Sequence, residues 1–129
     1  RKIELLFDKV TLDSTGNWFV RIGPSGGAVA TGYESGSVDR AVSSEVTSTT
    51  GFVIRSSASN RLLTGSMTLR LMDATTNLWV ADHVLCDVAS GVTSHGGGRV
   101  QLSGPIENLQ LNYSASNNPD GGQFRVQWE

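Results

Sequence analysis

Two histidines and one cysteine are the whole supply of imidazole and thiol in this chain, so nucleophilic or transition-metal chemistry would have to be built on His83, His95 and Cys86. A nucleophile needs an imidazole beside it and a third group to orient that imidazole. His83 precedes Cys86 by an odd spacing, which on a strand sends the two side chains to opposite faces. His83 is therefore read as packed beside Trp79 or at a subunit contact. His95 lies in Ser94-His95-Gly96-Gly97-Gly98, read as a flexible loop in which a solvated imidazole is free to touch a ligand. No pair of His or Cys stands at ligand spacing, and no metal or cofactor is expected. Asp73, Asp82, Asp87, Glu107 and Asp120 fall near strand ends. A glycosidase needs two such carboxyls on facing elements, but any β domain of this size carries acids there, so no catalytic residue is assigned and no enzyme is expected. The turn Asn117-Asn118-Pro119-Asp120 offers oxygen ligands without the regular acid spacing and closing Glu of a calcium loop. It is read as an exposed turn with hydrogen-bonding groups to offer.

Glycine and aromatic residues complete the set. Ile22-Gly23-Pro24-Ser25-Gly26-Gly27-Ala28 has no following Lys-Ser or Lys-Thr and opens no helix, so it is not a phosphate cradle; its glycines are expected to serve positive-φ turns. Tyr33 stands among Thr31, Gly32, Glu34 and Ser35, where an aromatic ring could stack on a sugar while its neighbours bond hydroxyls. The alternative for Tyr33 is to anchor its own loop. Trp18, Phe52, Phe124 and Trp128 fall on apolar parities and are assigned to the core, and Trp79 is read as buried.

The elements that must position these residues are strands. Ile3, Leu5 and Phe7 alternate, and a change of parity before Val10 and Leu12 points to a bulge near Asp8 and Lys9. Asp13 to Asn17 is turn chemistry, and Trp18, Val20 and Ile22 then share a face on a strand expected to pair with the first as a hairpin. Between Gly23 and Thr50 apolar residues thin out, which predicts one or two short strands and an exposed excursion. Phe52 and Ile54 open a strand. Met67, Leu69 and Leu71 alternate with polar residues and lead through the loop Asp73 to Asn77 into Leu78 to Asp87. That last strand is apolar on both faces, with Leu78, Val80, Val84 and Cys86 on one and Trp79, Ala81 and Leu85 on the other; such a strand is central between layers or lies at a subunit contact. Leu109, Leu111 and Tyr113, then Phe124, Val126 and Trp128, predict a closing hairpin. The pattern totals about eight to ten strands and no helix, as in a two-sheet antiparallel sandwich of jelly-roll type.

Length and composition agree. The chain of 129 residues forms one domain, 1–129, with 38% hydrophobic and 17% charged residues and a formal net charge of −2. That charge supplies no basic footprint for nucleic acid. No apolar run is long enough for a membrane-spanning helix, and one cysteine precludes an internal disulfide. The start at Arg1, without Met or a signal core, fits a fragment or processed product.

Three segments in order carry a family resemblance: Ile22-Gly23-Pro24-Ser25-Gly26-Gly27 running to Thr31-Gly32-Tyr33; Thr50-Gly51-Phe52, then Gly65-Ser66-Met67-Thr68-Leu69 and Asn77-Leu78-Trp79; and the ending Trp128-Glu129. Together they resemble a C-terminal module of tailed-bacteriophage and prophage tail-fibre proteins. The chain departs from that pattern in Asn117-Asn118-Pro119-Asp120-Gly121-Gly122, and in carrying His83 and Cys86. The resemblance implies a homotrimeric virion component, the tip of a longer fibre that contacts other tail proteins. Its expected function is adhesion to a bacterial surface glycan or outer-membrane protein, with Tyr33, Glu34, His95, Asn117, Asn118 and Asp120 as candidate receptor contacts. The alternatives are a purely structural virion module and, third, a polysaccharide-degrading enzyme.

Overall fold

A computed structural model describes residues 1–12, 16–42, 44–113 and 119–129. The described residues form ten strands: β1 (Lys2–Leu12), β2 (Trp18–Gly23), β3 (Glu34–Asp39), β4 (Glu45–Ser48), β5 (Phe52–Ile54), β6 (Leu63–Asp73), β7 (Leu78–Asp87), β8 (Thr93–Gln101), β9 (Asn108–Tyr113) and β10 (Pro119–Trp128). They divide into a seven-stranded sheet, β10-β1-β6-β7-β8-β3-β4, and a three-stranded sheet, β5-β2-β9. Every pairing is antiparallel. The two sheets pack face to face as a β-sandwich of unequal halves.

Alternation explains most of the core. Ile3, Leu5 and Phe7 of β1, Met67 and Leu69 of β6, and Trp79 and Leu85 of β7 face inward and meet Trp18, Val20 and Ile22 of β2. The bulge in β1 falls where the change of parity placed it. Pairing shifts between Asp8 and Thr11, Lys9 takes φ 55°, and Gly122 opposite takes φ 97°. A Cβ on Gly122 would lie 2.3 Å from the Lys9 carbonyl oxygen, so only glycine fits the approach. The extra residue returns Val10 to the core.

Two pairing expectations are corrected. β1 pairs with β10 and β6, whereas β2 pairs with β5 and β9, so β1 and β2 face one another across the core rather than side by side. β9 and β10 are likewise in different sheets and form no hairpin. Period-two patterning fixes which face of a strand is buried, and both arrangements bury the same faces. Trp128 is also not core. It stands at the end of the edge strand β10, is 51% exposed, and carries the Arg1 guanidinium 5.4 Å above its ring.

Candidate functional site

The β8-β3-β4 end of the large sheet is built from small and polar residues, and its attachment to β5 follows from that. Ser35, Ser37 and Asp39 occupy the inward positions of β3, where other strands place apolar groups. Ser35 Oγ donates to the Gly51 carbonyl at 2.7 Å and accepts from the Val53 N–H at 3.3 Å. Ser37 Oγ accepts from the Arg55 N–H at 3.0 Å. The Asp39 carboxylate accepts from the N–H of Ala41 at 2.8 Å, and from the N–H and hydroxyl of Ser57 at 3.1 and 2.9 Å. Side chains of one sheet thus satisfy the free backbone edge of the other.

Below Asp39 lies a buried ionic triad. Arg61 Nε stands 3.3 Å from Asp39 Oδ2, and its Nη1 3.4 Å from Asp87 Oδ2. Asp87 also accepts from the Leu62 and Ala89 N–H groups and, at 2.6 Å, from the Ser90 hydroxyl. Burial alone would raise both carboxyls. Their hydrogen bonds and the Arg61 charge outweigh it and hold both below the usual aspartate value. The triad ties the end of β3 to the β5–β6 connection and the β7–β8 turn.

His83 and Ser37 meet in the same interior, with Nε2 and Oγ 3.1 Å apart and Ser94 Oγ 3.3 Å beyond. This is the spacing of a nucleophile and its base, but Ser37 is 1% and His83 3% exposed. Burial, with a smaller push from His95, lowers the imidazole pKa to about 4. His83 Nδ1 has no partner among the described residues, so nothing there orients the ring as a catalytic base. The pair is a packing contact sealed from substrate. Gly96 makes room for it: a Cβ there would lie 2.9 Å from His83 Cε1 and 2.0 Å from the Gly36 carbonyl oxygen.

The outer face of this end is a groove. Register places three rows of outward residues across the strands: Val84, His95, Val38 and Glu45; then Asp82, Gly97, Gly36 and Thr47; then Val80, Arg99 and Glu34. The middle row has no side chains on β8 or β3, so its neighbours stand as walls around a glycine floor. His95 and Arg99 are about 13 Å apart along β8 at roughly 3.3 Å per residue. A recess of about 610 Å³ is lined by Glu34, Ser35, Gly36, Glu45, Thr47 and Gly97, among others. A second, of about 310 Å³, shares Gly36, Glu45 and Gly97 with it and extends to Val38 and His95. Arg99 Nη1 donates to Glu34 Oε1 at 2.7 Å along one wall.

The expected contact residues separate accordingly. Glu34 and His95 are brought together on this groove. The segment from Ser94 to Gly98 is not a flexible loop but part of β8, paired on both sides. Tyr33 is corrected: at 1% exposure its ring packs edge-on against Phe52 with centroids 5.1 Å apart. Its hydroxyl accepts from the Ile22 N–H at 2.9 Å and shares its proton between the Ile22 and Val29 carbonyls at 3.1 and 2.9 Å. Tyr33 therefore closes the Gly23 to Gly32 loop from inside and has no face to offer a sugar. Asn117 and Asn118 lie outside the described residues, as does the side chain of Asp120. Glu45 and Thr47 were not foreseen as wall residues; the polar alternation of β3 and β4 gave no apolar signal to fix which face they occupy. No family model, no curated protein and no solved structure matches this chain.

Proposed function

We propose that this chain is the adhesion domain at the tip of a bacteriophage tail fibre, acting in the virion as a homotrimer that binds a bacterial surface glycan or outer-membrane protein. The observation that carries this reading is the open, polar, glycine-floored groove across β8, β3 and β4. Its carboxylates and hydroxyls suit hydrogen bonding to a hydroxyl-rich ligand. Such a shallow site is weak alone. Three linked copies raise the effective concentration enough for useful attachment. The resemblance to tail-fibre modules supplies the biological setting, including contact with other tail proteins.

Support for self-association comes from β7. Its inner face is covered by the opposing sheet, while Val80 and Cys86 on the outer face are half-buried and Val84 is 62% exposed. That surface is the one expected to meet neighbouring copies. It also favours a second reading, a structural virion module whose outer face binds another virion protein. A glycan array probed with the chain, with sedimentation alongside, separates them. Retention of a defined glycan subset by a species about three times the 13.7 kDa chain mass supports adhesion. Assembly without retention of any glycan or host outer-membrane protein would overturn it in favour of the structural reading. A reducing-sugar release assay on retained glycans tests the expectation that binding is not followed by cleavage.

A further inference from the structure

Within the groove one group stands apart. Glu45, on the edge strand β4, leans over the glycine floor: a Cβ built on Gly36 would lie 2.9 Å from Glu45 Oε1. The other acids near the groove are engaged. Glu34 is paired with Arg99 at 2.7 Å, and Asp82, at the far end of the glycine row, stands 3.7 Å from Arg70. Glu45 has no hydrogen-bond or ion-pair partner among the described residues and is exposed. The groove thus presents one uncommitted carboxylate, aimed across a floor where main chain is bare.

We infer that Glu45 sets the ligand class, and that the groove takes a saccharide with adjacent free hydroxyls and no negative charge. This rests on the adhesion reading and narrows it. A carboxylate is acceptor-only, and its two oxygens can each take a hydroxyl from a vicinal diol. Hydrogen bonds to an ionised acceptor are about twice as strong as neutral ones. No Phe, Tyr or Trp lines the groove among the described residues, so recognition runs chiefly through hydroxyls. Arg99 is paired with Glu34, and no Lys or Arg lines either recess, so an anionic sugar seated there would meet Glu45 with no such cation beside it. Like charges brought together in this way exclude the wrong ligand. An amino sugar is admitted, because its ammonium replaces one hydroxyl with a charged donor.

The test uses the full chain and three probes: neutral hexose oligosaccharides, deacetylated glucosamine oligomers, and uronate or sulfated oligosaccharides. The parent should retain members of the first two and none of the third. Glu45→Gln and Glu45→Ala should each weaken retention about tenfold or more, as for loss of a charge-assisted hydrogen bond. Glu45→Lys should begin to retain the anionic probes. Because Glu45 is exposed, all three variants should melt with the parent, and any that does not is replaced in the comparison by the others. Retention of anionic oligosaccharides by the parent would overturn the inference. So would neutral-sugar binding unchanged in both Glu45→Gln and Glu45→Ala, although glycan adhesion itself would survive. Retention of no saccharide by the parent would instead remove the glycan reading, and this inference with it.

Discussion

The two ends of the seven-stranded sheet are held to the rest of the molecule by different forces. At the β10-β1-β6-β7 end, inward Ile3, Leu5, Met67, Leu69 and Trp79 bury apolar surface against the opposing sheet, and the cohesion is non-directional. At the β8-β3-β4 end, serines, glycines and an aspartate leave little apolar surface to bury, and directional bonds take over. Ser35, Ser37 and Asp39 latch the backbone of β5 and its continuation, and Arg61 joins Asp39 to Asp87. The difference has a reason. The glycine floor puts small residues on β8 and β3, and Gly96 and Gly98 also let those strands approach. A Cβ on Gly98 would lie 2.5 Å from the Glu34 carbonyl oxygen. A side-chain-poor end cannot be held by apolar packing, so polar latches hold it.

The largest effect should come from cutting the ionic triad. Arg61→Ala leaves two buried carboxylates without their cation, which typically costs about 3–5 kcal/mol. Leu69→Ala at the other end should cost a similar amount, about 2–5 kcal/mol, by opening a cavity. Native-state hydrogen exchange distinguishes the two. Arg61→Ala should release amides of β3 and β4 while β1 and β6 stay protected. Uniform loss across both ends would show that they are one cooperative unit and not two kinds of attachment.

Acid should act first on the latched end. His83 is buried neutral with its pKa lowered to about 4, so between its unfolded value near 6.5 and about 4 the unfolded state binds the extra proton. Its contribution is full above about pH 6.5 and falls away as pH drops to about 4, on the order of 3 kcal/mol in all. Asp39 and Asp87, held below the ordinary aspartate value, add a further loss at lower pH as they protonate. Thermal melts across this range should slope downward for the parent and flatten for His83→Gln above pH 4. A parallel slope in both would place the titration elsewhere.

Smaller still are two aromatic changes that contrast the inside with the edge. Tyr33→Phe keeps the ring against Phe52 but strands the Ile22 N–H in the interior, at about 1–3 kcal/mol. Trp128→Ala, at an exposed strand end, should shift the melting temperature by a few degrees at most. A Trp128 effect larger than that of Tyr33 would reverse the assignment of core and edge.

The contrast also marks what the amino-acid sequence made legible. At the apolar end, strand positions, inward faces and the β1 bulge were readable because Ile, Leu, Phe and Trp alternate there. Partners were not, since the β1–β2 and β9–β10 hairpins and the sandwich bury the same faces. At the latched end the alternation is Ser-Gly-Ser-Val-Asp, which carries no apolar period, so β3 was only a short strand somewhere in a long excursion. Gly96 to Gly98 read as a loop because glycine disfavours strands in isolation, although pairing on both sides holds them there. Tyr33 was misplaced for a related reason: its polar neighbours marked an exposed segment, while its hydroxyl could satisfy three backbone groups inside. Of the groove walls, Glu34 and His95 were legible and Glu45 and Thr47 were not.

If the bare glycine floor of the latched end is where a ligand sits, a side chain grown from it should block binding. Gly36 does not have a positive φ, and the nearest atoms to a Cβ there are the flexible end of Glu45 at 2.9 Å and the Val46 carbonyl oxygen at 3.6 Å. Gly36→Leu should therefore fold and occupy the groove. Gln127→Leu, on β10 at the opposite end of the sheet, serves as the matched control. Labelled parent and variant chains would be measured for adsorption to susceptible bacteria, with melting followed in parallel. Gly36→Leu should lose adsorption while melting near the parent, and Gln127→Leu should adsorb normally. Full adsorption by a folded Gly36→Leu chain would contradict this placement of the ligand.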